Sequence, residues 1–341
     1  MKVLSFIIPA YNSAAFLDKC ISSMLSPEIL EKLEILVVND GSTDATAETA
    51  ERYCAQYPGV VHLISQENKG HGGALNTGCA AAQGKYMKVI DADDWVETRN
   101  LPEFVALLES CDSNVVLTHY RTIDIGTGEV KNWKSYPEAF GKSYSFGEVM
   151  AQWKSFDRCL TFHGITYRTA FYREYGAPLL EHVFYEDHEF ATFPCCCGES
   201  VLLLDLFVYD YRIGDVNQSV SNANQLKRIG HTEAVIQRMI EKYRALPEND
   251  GKRYAAMKTQ GLVLSYLTTA LLVNPDRKAG REQARRLMAH CQINAPEVHT
   301  LAHSKYRVFQ LMNWLHVGKR SWDKILGSKV YNQARGNHTF E

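Results

Sequence analysis

"YMKVIDADDWVE", residues 86–97, begins as a strand and ends in a cluster of acids. Met87, Val89 and Ile90 suit a sheet interior, yet Asp91, Asp93 and Asp94 follow at once, where like charges disfavour one another's ionised forms. A hard divalent cation would favour ionised oxygens there, and Mg²⁺ typically takes one or two carboxylates together with substrate phosphates. The spacing Asp91-x-Asp93 brings both side chains near one point as the chain leaves the sheet. The alternative is a helix cap, since an acid ahead of "WVETRNLPEF" suits a helix beginning at Trp95. Capping uses one acid, and three are present.

Around this stretch, strand-like and helix-like segments alternate. "VLSFIIPAYN" (3–12), "LEILVVND" (33–40) and "VVHLISQ" (60–66) are rich in β-branched residues, and helical spacing separates them in "AAFLDKCISSML" (14–25) and after "GSTDAT". "NKGHGGALN" (68–76) is a Gly-rich loop opening another helix, with Lys69 and His71 placed where a phosphate could approach. Repeated strand, helix, strand units predict a mostly parallel sheet flanked by helices, an α/β Rossmann-like fold. In such sheets ligands bind beyond the carboxyl ends of the strands, so "PAYN", "VNDGSTD" and "IDADD" become the candidate site.

Further along, "NVVLTHYRTIDIGTGEVKNWKSY" reads as a hairpin turning at "GTGE", and "SVLLLDLFVYDYRIG" as a strand ending near residue 214. From about 224 the pattern is helical, with Leu226, Ile229, Ile236, Ile240 and Tyr243 on one face. Breaks at "ALPENDG" and "NPDRKAG" divide it into four or five helices. The expected organisation is a catalytic domain over 1–220 and a helical C-terminal region over 221–341.

The 341 residues are 45% hydrophobic and 22% charged, which excludes a disordered or fibrous chain, and a net charge of −2 gives no bulk case for binding nucleic acid. Nine cysteines without a CxxC pair, including "CCC" at 195–197, read as reduced, buried side chains of a cytoplasmic protein. The N-terminus has no signal-peptide pattern, and "GLVLSYLTTALLV" (261–273) is shorter than the roughly 20 residues that span a bilayer. "KYRVFQLMNWLHVGKRSWDKIL" mixes basic and aromatic residues at helical spacing. It fits either a helix packed on the rest of the protein or one facing a partner or the inner face of a membrane.

Together, "FIIPAYN", "LVVNDGSTDAT", "NKGHGGALNTG", "VIDADDW" and "FYEDHEF" closely resemble, in content and order, the nucleotide-sugar domain of glycosyltransferase family 2, the inverting transferases of GT-A fold. The resemblance covers about residues 3–220. It implies that Pro9, Ala10, Tyr11 and Asn12 line the base pocket, that Asp40 binds the base, most often uracil, and that Lys69, Gly72 and Ala92 border the donor. It makes Asp91 and Asp93 the DxD pair, with Asp93 on a Mn²⁺ or Mg²⁺ ion, Asp91 nearer the ribose, and Asp94 a third candidate ligand. Asp187 of the "ED" pair would be the base that deprotonates the acceptor, with Glu186 orienting the loop or acceptor. Arg212, Gln218, Ser219 and Ser221 would contact the diphosphate or acceptor. His163 and His188 are candidates for the metal-binding histidine the family carries elsewhere. Where the family commonly has two acids this chain reads Asn39-Asp40, keeping the second. The implied partners are a UDP-sugar donor and a glycan, lipid-linked or protein hydroxyl acceptor, in cell-surface polysaccharide or glycoconjugate synthesis. A nucleotidyltransferase of similar fold and a non-catalytic nucleotide-sugar-binding protein are the rival readings. The first loop, "PAYNSAAF", lacks the basic character of the former, and all four key acids are present, unlike in the simplest version of the latter.

Overall fold

The computed structural model describes residues 2–214 and 222–326. Among them the chain divides into two compact units, one holding residues up to 214 together with Pro247–Tyr254, the other residues 222–246 and those from Ala255 onward. The expected division at 220 takes no account of the short segment Pro247–Tyr254, which returns to the first unit. There Tyr254 donates from its hydroxyl to the Ala191 carbonyl and packs edge-on against Phe146.

The first unit opens with β1 (Leu4–Ala10), α1 (Ala14–Met24), β2 (Leu33–Asp40), α2 (Thr46–Gln56), β3 (Val61–Gln66), α3 (Gly70–Ala81) and β4 (Tyr86–Val89). All of β1 and β2 is buried, as strands covered on both faces must be. Successive side chains point to opposite faces. Leu4, Phe6 and Ile8 therefore join Leu17, Cys20 and Ile21 of α1 in one core, while Ile7 and Val38 meet α3 on the other side. The small-residue sequence of α3 follows from this: a Cβ on Gly78 would run into Ile7, so the helix lies against the sheet only because glycine stands there.

Next come β5 (Trp95–Val96), α4 (Leu101–Ser110), β6 (Val115–Asp124), β7 (Val130–Trp133), β8 (Ser143–Tyr144), α5 (Phe146–Ala151), β9 (Ile165–Arg168), α6 (Thr169–Tyr175), α7 (Asp187–Cys197) and β10 (Val201–Ile213). Sheet order is β3-β2-β1-β4-β9-β6-β10-β5, with β7 beside β6 and β8 beside β10. The expected parallel arrangement holds from β3 to β4, and the β6–β7 hairpin forms as read. The far half is mixed: β9 runs antiparallel between β4 and β6, and β5 antiparallel to β10. Strand order reverses at β1, flanked by β2 and β4, and such a switch point opens a crevice at the carboxyl ends of the strands. The helix expected at Trp95 is instead strand β5, paired through Trp95 with Asp210 and Val96 with Tyr209. Asp94 therefore caps no helix.

The second unit is helical: α8 (Asn222–Lys227), α9 (Ile229–Ala245), the main length of α10 (Asp250–Thr268), α11 (Arg277–Asn294), α12 (Pro296–Trp314) and α13 (Lys319–Leu326). The apolar run 261–273 lies in α10 and the π-helical turn Thr269–Val273 that continues it. Among the described residues no helix is long and apolar enough to cross a membrane. Cys195 and Cys196 are buried in α7, and Cys197 is exposed.

Candidate functional site

Pro9, Ala10 and Tyr11 leave β1 along one wall of a cavity of about 370 Å³, which Asp40, Asn68, Gly70 and His71 close from β2 and the start of α3. His182, Val183 and Phe184, from the segment before α7, complete it. Tyr11 and Phe184 are 53% and 38% exposed, so both rings present surface along the cavity. Asp40 is buried at the tip of β2, where its Oδ1 accepts from Gln66 Nε2 at 2.7 Å and from the Lys69 backbone N–H at 2.9 Å.

The "DGSTD" residues after β2 serve mainly to hold the loop after β1. The Asn12 backbone donates to Ser42 Oγ and its side chain accepts from the Thr43 backbone, while Asp44 accepts from Ala14 and Thr46. These bonds keep Asn12 in the left-handed region (φ 49°), an uncommon conformation that asparagine tolerates best among side-chain-bearing residues. Lys69 has its side chain in solvent. Gly72 packs against the chain itself: a Cβ there would collide with the Leu180 carbonyl and lie 2.9 Å from Glu186 Cγ. Gly72→Ala should therefore cost about 1–3 kcal/mol of stability, the usual penalty for overpacking, read as a lower urea midpoint at constant slope. An unchanged midpoint would mean that the Leu180 segment yields freely.

The three acids after β4 have three different environments. Asp91 accepts from His71 Nε2 at 2.9 Å, and the other ring nitrogen of His71 donates to Glu186 at 2.5 Å. Burial opposes a charged imidazole, but the Glu186 and Asp91 carboxylates outweigh it and hold the His71 pKa well above its ordinary value. Burial likewise disfavours ionised Asp91, yet the bond to His71 keeps its carboxyl below the usual range. Asp94 points inward, accepting from the Tyr209 hydroxyl at 2.5 Å and from the Arg212 backbone at 2.7 Å. Burial, with Asp91 and Asp93 beside it, pushes its pKa well up, so it is the least suited of the three to an ion. Asp93, 37% exposed, faces outward with the Arg212 guanidinium 3.6 Å away. Much of the charge expected to await a cation is thus compensated by the protein, and Asp93 is the most exposed of the three acids.

Glu186, only 2% exposed in its side chain, ties α7 to α3 through His71. Asp187 opens α7 and is half-buried; its charge and that of Asp93 both reach the Tyr211 hydroxyl. His163 stacks on Tyr211 at 4.3 Å and meets Tyr209 edge-on at 4.9 Å. Burial brings its pKa down to about 4 against the pull of Asp91 and Asp187, which leaves a neutral imidazole. His188 lies within the first turn of α7. Ala92 is buried and does not border the cavity. Gln218, Ser219 and Ser221 lie outside the described residues. Among the described residues no three His, Cys, Asp or Glu side chains are grouped to hold a metal ion by themselves.

Residues 5–176 match the model of "Glycosyl transferase family 2", about half of the chain. The chain belongs to glycosyl transferase family 2. Its curated relatives are named glycosyltransferases. Among its relatives, the uncharacterized glycosyltransferase EpsJ of Bacillus subtilis is 38% identical over 112 residues, 33% of this chain and 31% of that protein. A chondroitin synthase of Escherichia coli is 34% identical over 140 residues, 40% of this chain and 20% of that protein. The matched stretches thus span well under half of the relatives' own length. The fold is that of S. aureus TarS 1–349, with a TM-score of 0.62 at 18% identity, covering 100% of this chain and 93% of that one. The mannosyltransferase PcManGT from Pyrobaculum calidifontis, solved with GDP-Man and Mn²⁺, matches with a TM-score of 0.52 at 16% identity over 91% of this chain and 83% of that one. Both support the GT-A fold of this family 2 transferase.

Two parts of the site escaped the sequence reading. His71 was visible in "NKGHGG", but its partner Glu186 lies 115 residues away and nothing local signals the pairing. Tyr209, which anchors Asp94 and accepts from the Asp91 backbone, looked like one more aromatic in a strand.

Proposed function

We propose that the enzyme transfers a sugar with inversion from a UDP-sugar to a hydroxyl acceptor, with Mn²⁺ or Mg²⁺ as cofactor. The observation that carries this reading is an aromatic-walled cavity ending in Asp40 at the carboxyl ends of β1 and β2, with the outward carboxylate of Asp93 after β4 and Asp187 next to Glu186, which bonds His71 of the cavity wall.

In this scheme the base lies between Tyr11 and Phe184, with Asp40 at the back of the cavity. Asp93 would hold the cation, with Asp91 beside it, and a hard cation there would neutralise charge on the departing diphosphate. Such ions take one or two carboxylates plus substrate phosphates, so the absence of a three-ligand group among the described residues is compatible with this role. Arg212, next to Asp93, offers guanidinium donors to the same diphosphate. The acceptor hydroxyl attacks the anomeric carbon in line with the leaving group, and Asp187 takes its proton. Glu186 touches no substrate: pinned by His71, it positions the start of α7.

UDP-GlcNAc in a complex of TarS supports a uridine donor, and Mn²⁺ in that of PcManGT supports the cation. A relative named chondroitin synthase supports a glycan acceptor, with lipid-linked and protein hydroxyls as the further classes. Nine free cysteines favour a reducing compartment, the cytoplasm.

The test is a panel of UDP- and GDP-sugars with Mn²⁺, Mg²⁺ or EDTA, following release of free nucleoside diphosphate. No turnover or binding with any UDP-sugar would remove the uridine reading. Asp93→Ala should weaken Mn²⁺-dependent donor binding by about tenfold or more, the scale of one charge-assisted contact. Unchanged affinity would move the cation to another ligand.

A further inference from the structure

The helical unit carries a charge that the whole chain conceals. Residues 222–246 and 255–326 hold sixteen Lys and Arg against six Asp and Glu, in a protein of net charge −2. On α12 the buried face runs through Val298, Ala302, Tyr306, Phe309 and Met312. A second apolar stripe is exposed: Leu301 43%, Val308 45%, Leu311 56%, Leu315 54%, with Trp314 at 69%. Leu301, Val308 and Leu315 recur every seven residues, two turns apart, so they share one side of the helix line. Arg307 is exposed on the same helix, and the edge contact of Phe309 with Trp322, at 5.1 Å, holds α13 close, with Arg320 and Lys324 exposed on it.

A second copy of the chain would be a poor cover for this stripe, because a seam between two such cationic units sets like charges against each other. An anionic bilayer satisfies both features: apolar side chains and an interfacial Trp enter the headgroup boundary, and Lys and Arg meet the lipid phosphates. We propose that the exposed face of α12, with α13, seats the protein on an anionic lipid surface. The inference rests on charge and exposure in the helical unit alone and is independent of the donor assignment.

The full chain is sedimented with phosphatidylcholine vesicles, with and without phosphatidylglycerol, over a range of salt. Binding is expected only to the anionic vesicles and should fall as salt rises. Two variants separate the contributions, Leu311→Ser with Trp314→Ser, and Arg320→Glu with Lys324→Glu, each weakening binding by about tenfold or more. Far-UV circular dichroism and nucleotide-sugar turnover, unchanged in both variants, confirm that they are folded. Failure to sediment with anionic vesicles overturns the proposal, as does binding by both variants as tight as that of the unaltered protein. A dimer in light scattering that Leu311→Ser with Trp314→Ser converts to monomer would reassign the stripe to self-association and overturn it as well.

Discussion

Replacing Asp187 by asparagine is expected to lower turnover by about 10²–10⁴-fold, the usual contribution of a positioned general base, while leaving donor affinity within about twofold. Asparagine keeps the size of the side chain and its place at the start of α7 but cannot take a proton at neutral pH. Asp187 does not line the cavity assigned to the base, so the donor should bind as before. Turnover read by nucleoside diphosphate release and affinity read by calorimetry with the same donor separate the two effects. If turnover survives, the proton goes to another group. If affinity falls in parallel, Asp187 serves the donor rather than the acceptor.

The second large effect concerns stability. His71→Ala removes the cation between Asp91 and Glu186 and leaves the Glu186 carboxylate, 2% exposed, facing Asp91 without compensation. Breaking a buried pair in this way costs several kcal/mol. Because the His71 and Asp91 side chains are 31% and 30% exposed, a loss of about 3 kcal/mol, the low end of that range, is expected near pH 6. The folded pKa of His71 is raised. Its contribution is therefore fully present below about pH 6.5, the unfolded value, and fades as pH rises through the elevated folded value. Urea unfolding of the variant at several pH values reads both effects. In a Glu186→Gln background the same substitution should cost clearly less, because the charge that His71 neutralises is gone. An undiminished cost would mean that His71 acts through packing against Phe162 instead, whose ring lies 6.0 Å away.

The alternation of β-branched and helical segments up to β4 was legible because it is local: each strand is a short run rich in aliphatic residues, and turn residues such as Gly41 (φ 73°) and Gly70 (φ 77°) mark where the chain bends. The far half of the sheet was less so. Nothing in "GITYR" announces that β9 inserts antiparallel between β4 and β6, because strand direction is set by where the chain returns and not by the strand's own composition. Trp95 misled for a similar reason, since an acid before an amphipathic run reads as a helix start, and pairing with Asp210 across the sheet made it a strand.

The acids themselves divide along the same line. That Asp91, Asp93 and Asp94 stand at the carboxyl end of a buried strand followed from sequence alone, since hydrophobic run and charge cluster are neighbours in the chain. Which of them is tied to a cationic histidine, which is buried on a tyrosine and which faces outward was decided by His71, Tyr209 and Arg212, up to 118 residues distant. A carboxylate's charge state depends on what lies within a few ångströms in space, and only the folded chain brings those partners together.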